Sequence, residues 1–335
     1  MNKLTVLMLV VTSFFQTMQA QYKNIELINE RPRDVYEFPL RGSEETTVGI
    51  IKLRYEGSVL RKAILQPFDE EQVILNDIIE SAFFYYNEEN RRIYNLKQEN
   101  QYAPFSHLYM DAIYDMKGQQ VSKLEQDSKT LICGNTHIMF SSLGDIYYEC
   151  GVLVKYDADF NKLWEKQVDD EYQTSSCISP NGRVIIIVKP QSNQIAGCNP
   201  EGNIVATLNN AWLHQAQTTV QFVSESRFLV AQEENVALYD IESTNIHLVN
   251  DSLATLSEVI AQANVSVAAE YAVFYTFPDE GSMKFEVYDS QSFQKIGFAS
   301  VPTSNETIEA VATTPRGKIV VFGDKTIFEL QITQK

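Results

Sequence analysis

Short apolar runs separated by polar turns fill most of the chain, and several of them lead into nearly the same hairpin. The segment YDADFNKLWEKQ at 156–167 contains an apolar strand end, a polar turn and a second short strand. Similar segments begin at Tyr114, Tyr239 and Tyr288, and a degenerate one begins at Cys198. Runs such as VIIIV at 184–188 are β-branched and too short for helices. The pattern predicts an all-β chain built from hairpins.

Two sequence markers repeat with the same period. The hairpin marker stands at Tyr114, Tyr156, Cys198, Tyr239 and Tyr288, at intervals of 42, 42, 41 and 49 residues. The turn before the second strand of each unit is marked by Gly144, Gly182, Ser226, Glu270 and Gly317, at intervals of 38, 44, 44 and 47 residues. Such periods, with several short strands in each unit, are typical of β-propeller blades. We predict four strands per unit, which around Gly182 cover 175–179, 184–188, 194–198 and 203–208.

The two ends of the chain are predicted to complete one blade together. The last unit has strands near 307–312, 318–322 and 326–331 and lacks a fourth. Because natural proteins avoid an unpaired sheet edge, NIELI at 24–28 is the expected donor of that strand, with Ile25, Leu27 and Ile28 in the core. Counting forward predicts seven blades, with six or eight as alternatives. A short amphipathic helix at 251–263 would explain the interval of 49 residues.

The first 20 residues have the pattern of a secretory signal peptide. Lys3 precedes an uncharged run of twelve residues from Leu4 to Phe15, which is too short to span a bilayer. We predict cleavage after Ala20, export to the periplasm or secretion, and one domain over 21–335. The formal net charge of −17 disfavours nucleic acid and anionic lipid as partners. After cleavage we expect a monomer without an integral membrane segment.

The sequence does not determine whether its four cysteines form disulfides or remain thiols. They are Cys133, Cys150, Cys177 and Cys198. Export permits disulfides, and four cysteines allow three pairings, between which the sequence does not choose. Buried thiols are the alternative. None of the four lies in a CxxC or histidine-rich segment, so no zinc site is expected.

SCISPNGRVIIIVKP at 176–190 resembles the strand–turn–strand of WD40-like and YVTN-type propellers. The YDxxxxKLW hairpin is similar to the outer strands of quinoprotein-like and WD40-like blades. The resemblance covers roughly residues 108–331 at the level of the superfamily, without the paired Gly-His and Trp-Asp of true WD40 repeats. It implies a disc with a central channel and loops on two faces. Because the superfamily contains enzymes, adaptors and sensors, it does not imply one activity.

The chemistry of known propeller enzymes is hard to place on this sequence. A quinone cofactor would need a repeated tryptophan motif, whereas the chain has only Trp164 and Trp212, so we expect no cofactor. A calcium-dependent lactonase would need carboxylates and amides that meet at the channel. DADFN at 157–161 begins like an EF-hand loop, but Lys162 replaces its glycine, so Asp157 and Asp159 are predicted turn residues. No GxSxG is present, and the histidines at 107, 137, 214 and 247 are dispersed.

Two connections are candidate binding loops. AWLHQ at 211–215 offers Trp212 and His214, and the insertion at 97–107 offers Tyr102 and Phe105. Alternatively, Trp212 fills the gap between two blades. The leading hypothesis is a non-catalytic exported propeller that binds a protein or glycan partner through its loops. The alternative is a metal-dependent hydrolase or lactonase with its site over the channel. Three or more carboxylates and amides at one channel mouth would favour the enzyme, and an apolar or aromatic mouth would favour binding.

Overall fold

The structure is a computed structural model, and it describes most of the chain after residue 23. The described ranges are 24–43, 46–57, 59–76, 78, 82–98, 108–123, 137–149, 152–167, 175–209, 213, 218–232, 235–250, 264–268, 271–279, 281–302, 306–314 and 316–333. The predicted signal peptide, the predicted helix at 251–263, Cys133 and Cys150 lie outside these ranges. Every regular secondary-structure element within these ranges is a β-strand, as predicted.

The strands follow the predicted hairpins closely. The first thirteen are β1 (Asn24–Pro32), β2 (Glu37–Arg41), β3 (Thr47–Glu56), β4 (Val59–Pro67), β5 (Val73–Asn76), β6 (Ala82–Asn87), β7 (Arg92–Gln98), β8 (Leu108–Tyr114), β9 (Gln120–Lys123), β10 (His137–Phe140), β11 (Ile146–Glu149), β12 (Val152–Tyr156) and β13 (Lys162–Gln167). The others are β14 (Ser175–Ile178), β15 (Ile185–Lys189), β16 (Gln194–Cys198), β17 (Ile204–Asn209), β18 (Thr218–Phe222), β19 (Arg227–Gln232), β20 (Asn235–Glu242), β21 (Asn245–Asn250), β22 (Asn264–Ala268), β23 (Tyr271–Asp279), β24 (Ser282–Asp289), β25 (Lys295–Pro302), β26 (Ile308–Thr313), β27 (Lys318–Gly323) and β28 (Thr326–Thr333). The four strands predicted around Gly182 are confirmed to within one residue.

Antiparallel pairing of consecutive strands builds one sheet of eight strands and five of four strands within the described residues. The four-stranded sheets are β10–β13, β14–β17, β18–β21, β22–β25, and β26–β28 with β1 at its outer edge. The eight-stranded sheet has the order β5-β4-β3-β2-β6-β7-β8-β9. Its two halves are joined by a single parallel bridge between Arg41 and Tyr85.

The core lies between neighbouring sheets. In β15 all five side chains are buried, with Ile185 and Ile187 packed on one neighbouring sheet and Ile186 and Val188 on the other. This two-sided burial explains why the sequence of the strand is continuously apolar rather than alternating. Further apolar clusters fill each gap along the chain, and the last of them joins β26–β28 to β3 through Ile50. The sheets therefore close a ring, with the first strand of one sheet against the first strand of the next.

The N-terminal segment closes the last sheet, as predicted. β1 pairs antiparallel with β28, from Asn24 opposite Thr333 to Pro32 opposite Thr326. The expected burial of Leu27 and Ile28 is wrong, because these side chains are 44% and 52% exposed. The register shifts between Leu27 and Asn29, and β1 is the outer strand of its sheet, so its side chains face solvent there. Ile25 does pack against the core.

In the recurring Tyr-Asp pair, the tyrosine and the aspartate each have a structural role. Tyr156 and Tyr239 are fully buried between sheets. The carboxylate of Asp157 accepts hydrogen bonds from the backbone N–H groups of Asp159 and Asn161, at 3.0 and 2.8 Å. The side chains of Asp115, Asn199 and Asp289 accept turn N–H groups in the same way. Four of the five markers are therefore followed by a turn that an aspartate or asparagine closes, whereas Asp240, after Tyr239, pairs with Arg227. Asp157 is a turn residue, as predicted.

Cys177 and Cys198 are both buried thiols. They belong to apolar clusters on opposite faces of the β14–β17 sheet. Because each of the three complete pairings needs both cysteines oxidised, none of the three forms, and the alternative of buried thiols holds for Cys177 and Cys198. Trp164 packs as predicted for an outer strand, with its ring edge-on to Tyr147 at 6.1 Å between ring centroids.

Candidate functional site

A cavity of about 250 Å³ opens where the turns after the first strands meet. Its lining comes from the turn between β2 and β3, the end of β6 and the turn after it, and the ends of β10, β14 and β18. Because the first and third strands of a sheet run in the same direction, the first and third turns lie at one end of the ring. The cavity therefore lies at the channel mouth on this end, and five stretches far apart in the chain build it.

Asn87 lines the cavity and has an unused hydrogen-bond donor. The side chain is 1% exposed, and its Oδ1 accepts the backbone N–H of Glu89 at 3.0 Å. That hydrogen bond fixes the orientation of the amide, because an N–H group requires oxygen at that position. Nδ2 then has no partner. A buried polar group without a partner costs about 1–3 kcal/mol, so a ligand that accepts a hydrogen bond here gains affinity.

Gln221 presents the complementary acceptor. It lies on β18, is 8% exposed, and its Oε1 also has no hydrogen-bond partner. Asn87 and Gln221 come from sheets on different sides of the cavity that they both line. The wall beside them is apolar, with Phe140, Ile178 and Phe222. The residues that line the cavity therefore include one unpartnered donor and one unpartnered acceptor, beside an apolar wall.

Two adjacent carboxylates give the mouth its charge. Limited hydration in the concave site raises the pKa of the Glu88 carboxyl, and the negative charge of Glu89 raises it further. The charges of Glu70 and Asp69 act in the same direction. Glu70 pairs with Arg91 at 2.8 Å. By contrast, neither Glu88 nor Glu89 forms an ion pair with any residue that the structure describes. Among the described residues, the mouth therefore carries two carboxylates that no ion pair neutralises.

Hydrogen bonds within and between the turns hold the lining in place. The hydroxyl of Ser43 accepts the backbone N–H of Phe140 at 2.9 Å, which ties the first sheet to the β10–β13 sheet. Ser179 accepts the N–H groups of Arg183 and Val184 at 3.1 and 3.0 Å. These bonds fix the walls before a ligand arrives, which reduces the entropy cost of binding.

The structure does not test the four site residues that the sequence predicted. Trp212, His214, Tyr102 and Phe105 all fall outside the described residues, so their prediction remains untested. The strand ends nearest in sequence to Trp212 are Asn209 and Thr218, and those nearest to Tyr102 are Gln98 and Leu108. All four strand ends lie at the end of the ring opposite to the cavity. Leu213 is described, is 1% exposed and packs between the β14–β17 and β18–β21 sheets.

Sequence reasoning missed every residue of the cavity. The signal was weak, because Asn87, Glu88 and Glu89 follow the apolar strand AFFYY and have the composition of an ordinary turn. Gln221 could have been noticed, because an amide between Val220 and Phe222 interrupts an otherwise apolar strand end. Even that signal does not say that Gln221 and Asn87 line one space.

The described residues contain neither a candidate metal-binding group nor a helix that could cross a membrane. Within the described ranges, no group of three or more histidine, cysteine, aspartate or glutamate side chains has the geometry to hold a metal ion. In the same part of the chain, no helix has the length and apolar character that crossing a membrane would require. Of the four histidines, only His137 and His247 are described, on β10 and β21.

No family model matches the chain, and no curated protein sequence matches it. Among solved structures, the chain is similar to the β-propeller domain of Cps50 (Swd1) from Myceliophteria thermophila. The TM-score is 0.57 at 9% sequence identity, and the match covers 92% of this chain and 100% of that domain. At this identity the likeness shows the fold alone. The chain has a β-propeller fold, in agreement with the superfamily-level resemblance of its hairpins.

Proposed function

We propose that the chain is an exported, seven-bladed propeller that binds a protein partner and has no catalytic activity of its own. The count of seven treats the eight-stranded sheet as two blades, β2–β5 and β6–β9, because a single bridge from Arg41 to Tyr85 joins them. The five four-stranded sheets supply the others. Export rests on the signal-peptide pattern of residues 1–20.

The observation that carries the binding proposal is the pair of unpartnered amides at the channel mouth. Asn87 Nδ2 and Gln221 Oε1 are buried, lack partners and line one cavity. A peptide backbone has both a carbonyl acceptor and an N–H donor, so it complements both amides. The apolar wall of Phe140, Ile178 and Phe222 adds space for a side chain. Binding therefore recovers the cost of the two unsatisfied groups.

A metal-dependent hydrolase is the second candidate function, because one specific observation favours it. Two carboxylates and two amides line the cavity, which is the arrangement that the sequence analysis gave as favouring the enzyme; they are Glu88, Glu89, Asn87 and Gln221. A metal-dependent hydrolase would use such groups as ligands. The described residues, however, do not arrange three metal-binding side chains together. The mixed polar and apolar lining fits peptide binding better.

The proposed binding role is tested by replacing Gln221, one of the two amides without a partner. Gln221→Leu removes a buried acceptor without a partner, so we expect a higher unfolding midpoint together with weaker binding of peptides. Ser176→Ala is the matched control, because Ser176 is 2% exposed, its Oγ also lacks a partner, and it does not line the cavity. It should raise the midpoint and leave binding unchanged.

Binding is measured by calorimetry of the mature protein with a peptide panel of varied sequence and a panel of oligosaccharides. Binding of peptides that Gln221→Leu weakens supports the proposal. Binding of oligosaccharides alone would replace the protein partner by a glycan. A panel in which nothing binds, or in which Gln221→Leu and Ser176→Ala bind equally well, would refute a binding role for this mouth.

A further inference from the structure

We propose that the cavity receives the cationic side chain of a lysine or arginine from a peptide partner, with Glu88 and Glu89 around the cation and Asn87 holding the peptide carbonyl. This inference rests on the proposed function and specifies its ligand. The site lies on the end of the ring where the first turns meet.

Charge is the first support. Glu88 and Glu89 are adjacent, exposed and without an ion pair among the described residues, whereas nearby Asp69 and Glu70 have Arg316 and Arg91 at 3.4 and 2.8 Å. Two neighbouring carboxylates repel each other, and a cation between them relieves that repulsion. The formal net charge of −17 attracts a basic partner over a longer distance as well.

The unpartnered amides are the second and independent support. Gln221 Oε1 is an acceptor, so it adds a hydrogen bond to an ammonium or guanidinium group. Asn87 Nδ2 is a donor and cannot contact a cation favourably. It needs a carbonyl, which a peptide carries close to its own side chain. A bare metal ion would leave the Asn87 donor unsatisfied, whereas a basic peptide satisfies both amides.

Size and polarity are the third support. The cavity measures about 250 Å³, which is below the range of pockets for drug-sized ligands of about 300–1,000 Å³ and suits a single side chain. Its wall contains Phe140, Ile178 and Phe222. Lysine and arginine place their methylene stems on apolar surface and keep the charged end at polar groups. The lining therefore matches both parts of a long basic side chain.

The experiment compares blocked tripeptides, Gly-X-Gly, on the unaltered mature protein by calorimetry or NMR titration. X is lysine, arginine, norleucine or glutamate. We expect the lysine and arginine peptides to bind, and the norleucine peptide, which keeps the stem and lacks the charge, to bind at least about tenfold more weakly. Affinity of the basic peptides should fall as salt rises, because exposed charges are screened.

Variants place the effect at the mouth. Glu88→Gln and Glu89→Gln should each weaken the lysine peptide by about five- to twentyfold and leave the norleucine peptide unchanged. Glu225→Gln is the control, because Glu225 is exposed in the turn between β18 and β19 and does not line the cavity. Unfolding midpoints show that the variants are folded.

The outcomes separate the two proposals. Equal affinity for lysine and norleucine peptides, or preference for glutamate, overturns the cation site and leaves peptide binding in place. A basic peptide that binds equally well to Glu88→Gln, Glu89→Gln and Glu225→Gln also overturns the site. Failure of all tripeptides overturns this inference, and failure of the broad peptide panel as well overturns the proposed function.

Discussion

Single polar residues close the turns of this protein in successive sheets. Ser141 and Ser179 each accept two backbone N–H groups in the first turns of their sheets, and Asp115 and Asp157 do the same in third turns. Each side chain satisfies N–H groups that the tight turn removes from the sheet. At the residue scale, the repeat is therefore a repeated solution to turn hydrogen bonding.

Gly182 tests whether the first turn requires glycine. Its φ is +69°, and a Cβ there would lie 3.0 Å from Cβ of Ser141 in the neighbouring sheet. Ser226, at the same phase in the next four-stranded sheet, is not among the residues with positive φ. We expect Gly182→Val to lower the free energy of unfolding by about 1–3 kcal/mol and Ser226→Val to change it little. Urea unfolding measures both, and equal losses would contradict the turn alignment.

The N-terminal strand decides whether the ring is closed at the scale of elements. β1 is the fourth strand of a sheet whose other three strands come from the opposite end of the described chain. Arg33 donates to the backbone oxygen of Gly323 at 2.8 Å and pairs with Glu309 at 2.7 Å. These contacts join segments that meet only when the sheets have assembled. β1 is therefore part of the fold rather than a tail.

Deletion of residues 21–30 should lower the unfolding midpoint of the whole domain. The deletion leaves β28 as an unpaired edge and removes the packing of Ile25, which contributes on the order of 1 kcal/mol because it is partly buried. Leu27 and Ile28 are exposed and add little. The measurement is thermal unfolding, with deletion of 21–23 alone as the control. A truncated protein that keeps the midpoint and remains monomeric would contradict the closure.

Glu37 should make ring stability depend on pH. Burial raises the pKa of its carboxyl, but the hydrogen bonds and charge of Arg31 outweigh burial, so the pKa lies below the ordinary value. Arg31 contacts Glu37 at 2.8 and 2.5 Å, and the Glu37 side chain is fully buried. Because the pKa is lower in the folded state, this stabilisation is complete above the unfolded pKa of about 4.3. It is lost as pH falls through the folded pKa.

The measurement is urea unfolding as a function of pH. Glu37→Gln should cost about 2 kcal/mol at neutral pH, because Arg31 loses a charge-assisted pair. The difference from the unaltered protein should shrink as the pH falls below the ordinary range of glutamate. A difference that stays constant from neutral to acidic pH would show that the Glu37 charge does not support ring closure.

At the scale of the whole molecule, ring closure creates both the stability and the cavity. Seven apolar clusters of the described residues fill the spaces between consecutive sheets or sheet halves, the last joining β26–β28 to the first sheet. The same closure brings five first-strand ends around one mouth. A change in any closing contact is therefore expected to act on the cavity as well as on stability.

Chelation separates the binding proposal from the enzyme alternative. A metal ion bound to the folded state would raise the unfolding midpoint by mass action. We expect the midpoint of the purified mature protein to be unchanged by EDTA, and elemental analysis to find no stoichiometric metal. A lower midpoint on chelation, restored by one added metal, would favour the metal-dependent hydrolase over the binding protein.

The sequence by itself determined the strands, the repeat and the closing segment. β-branched runs such as 184–188 and the turn signals around Gly182 are local, so their strands were predicted to within a residue. The hairpin marker and the turn marker repeat with the same period, because each unit must bury both faces of its sheet and close its turns. NIELI was identified because an incomplete last unit demands a partner strand.

Only the tertiary structure decided where the candidate site lies. Asn87 and Gln221 are separated by more than three repeats in the chain, and each has the composition of an ordinary strand end. Their missing hydrogen bonds appear only when burial removes water from both. Loop composition predicted Trp212 and Tyr102 instead, because an aromatic residue in a predicted loop is visible in a sequence. A cavity is a property of several turns at once, and ring closure alone brings those turns together.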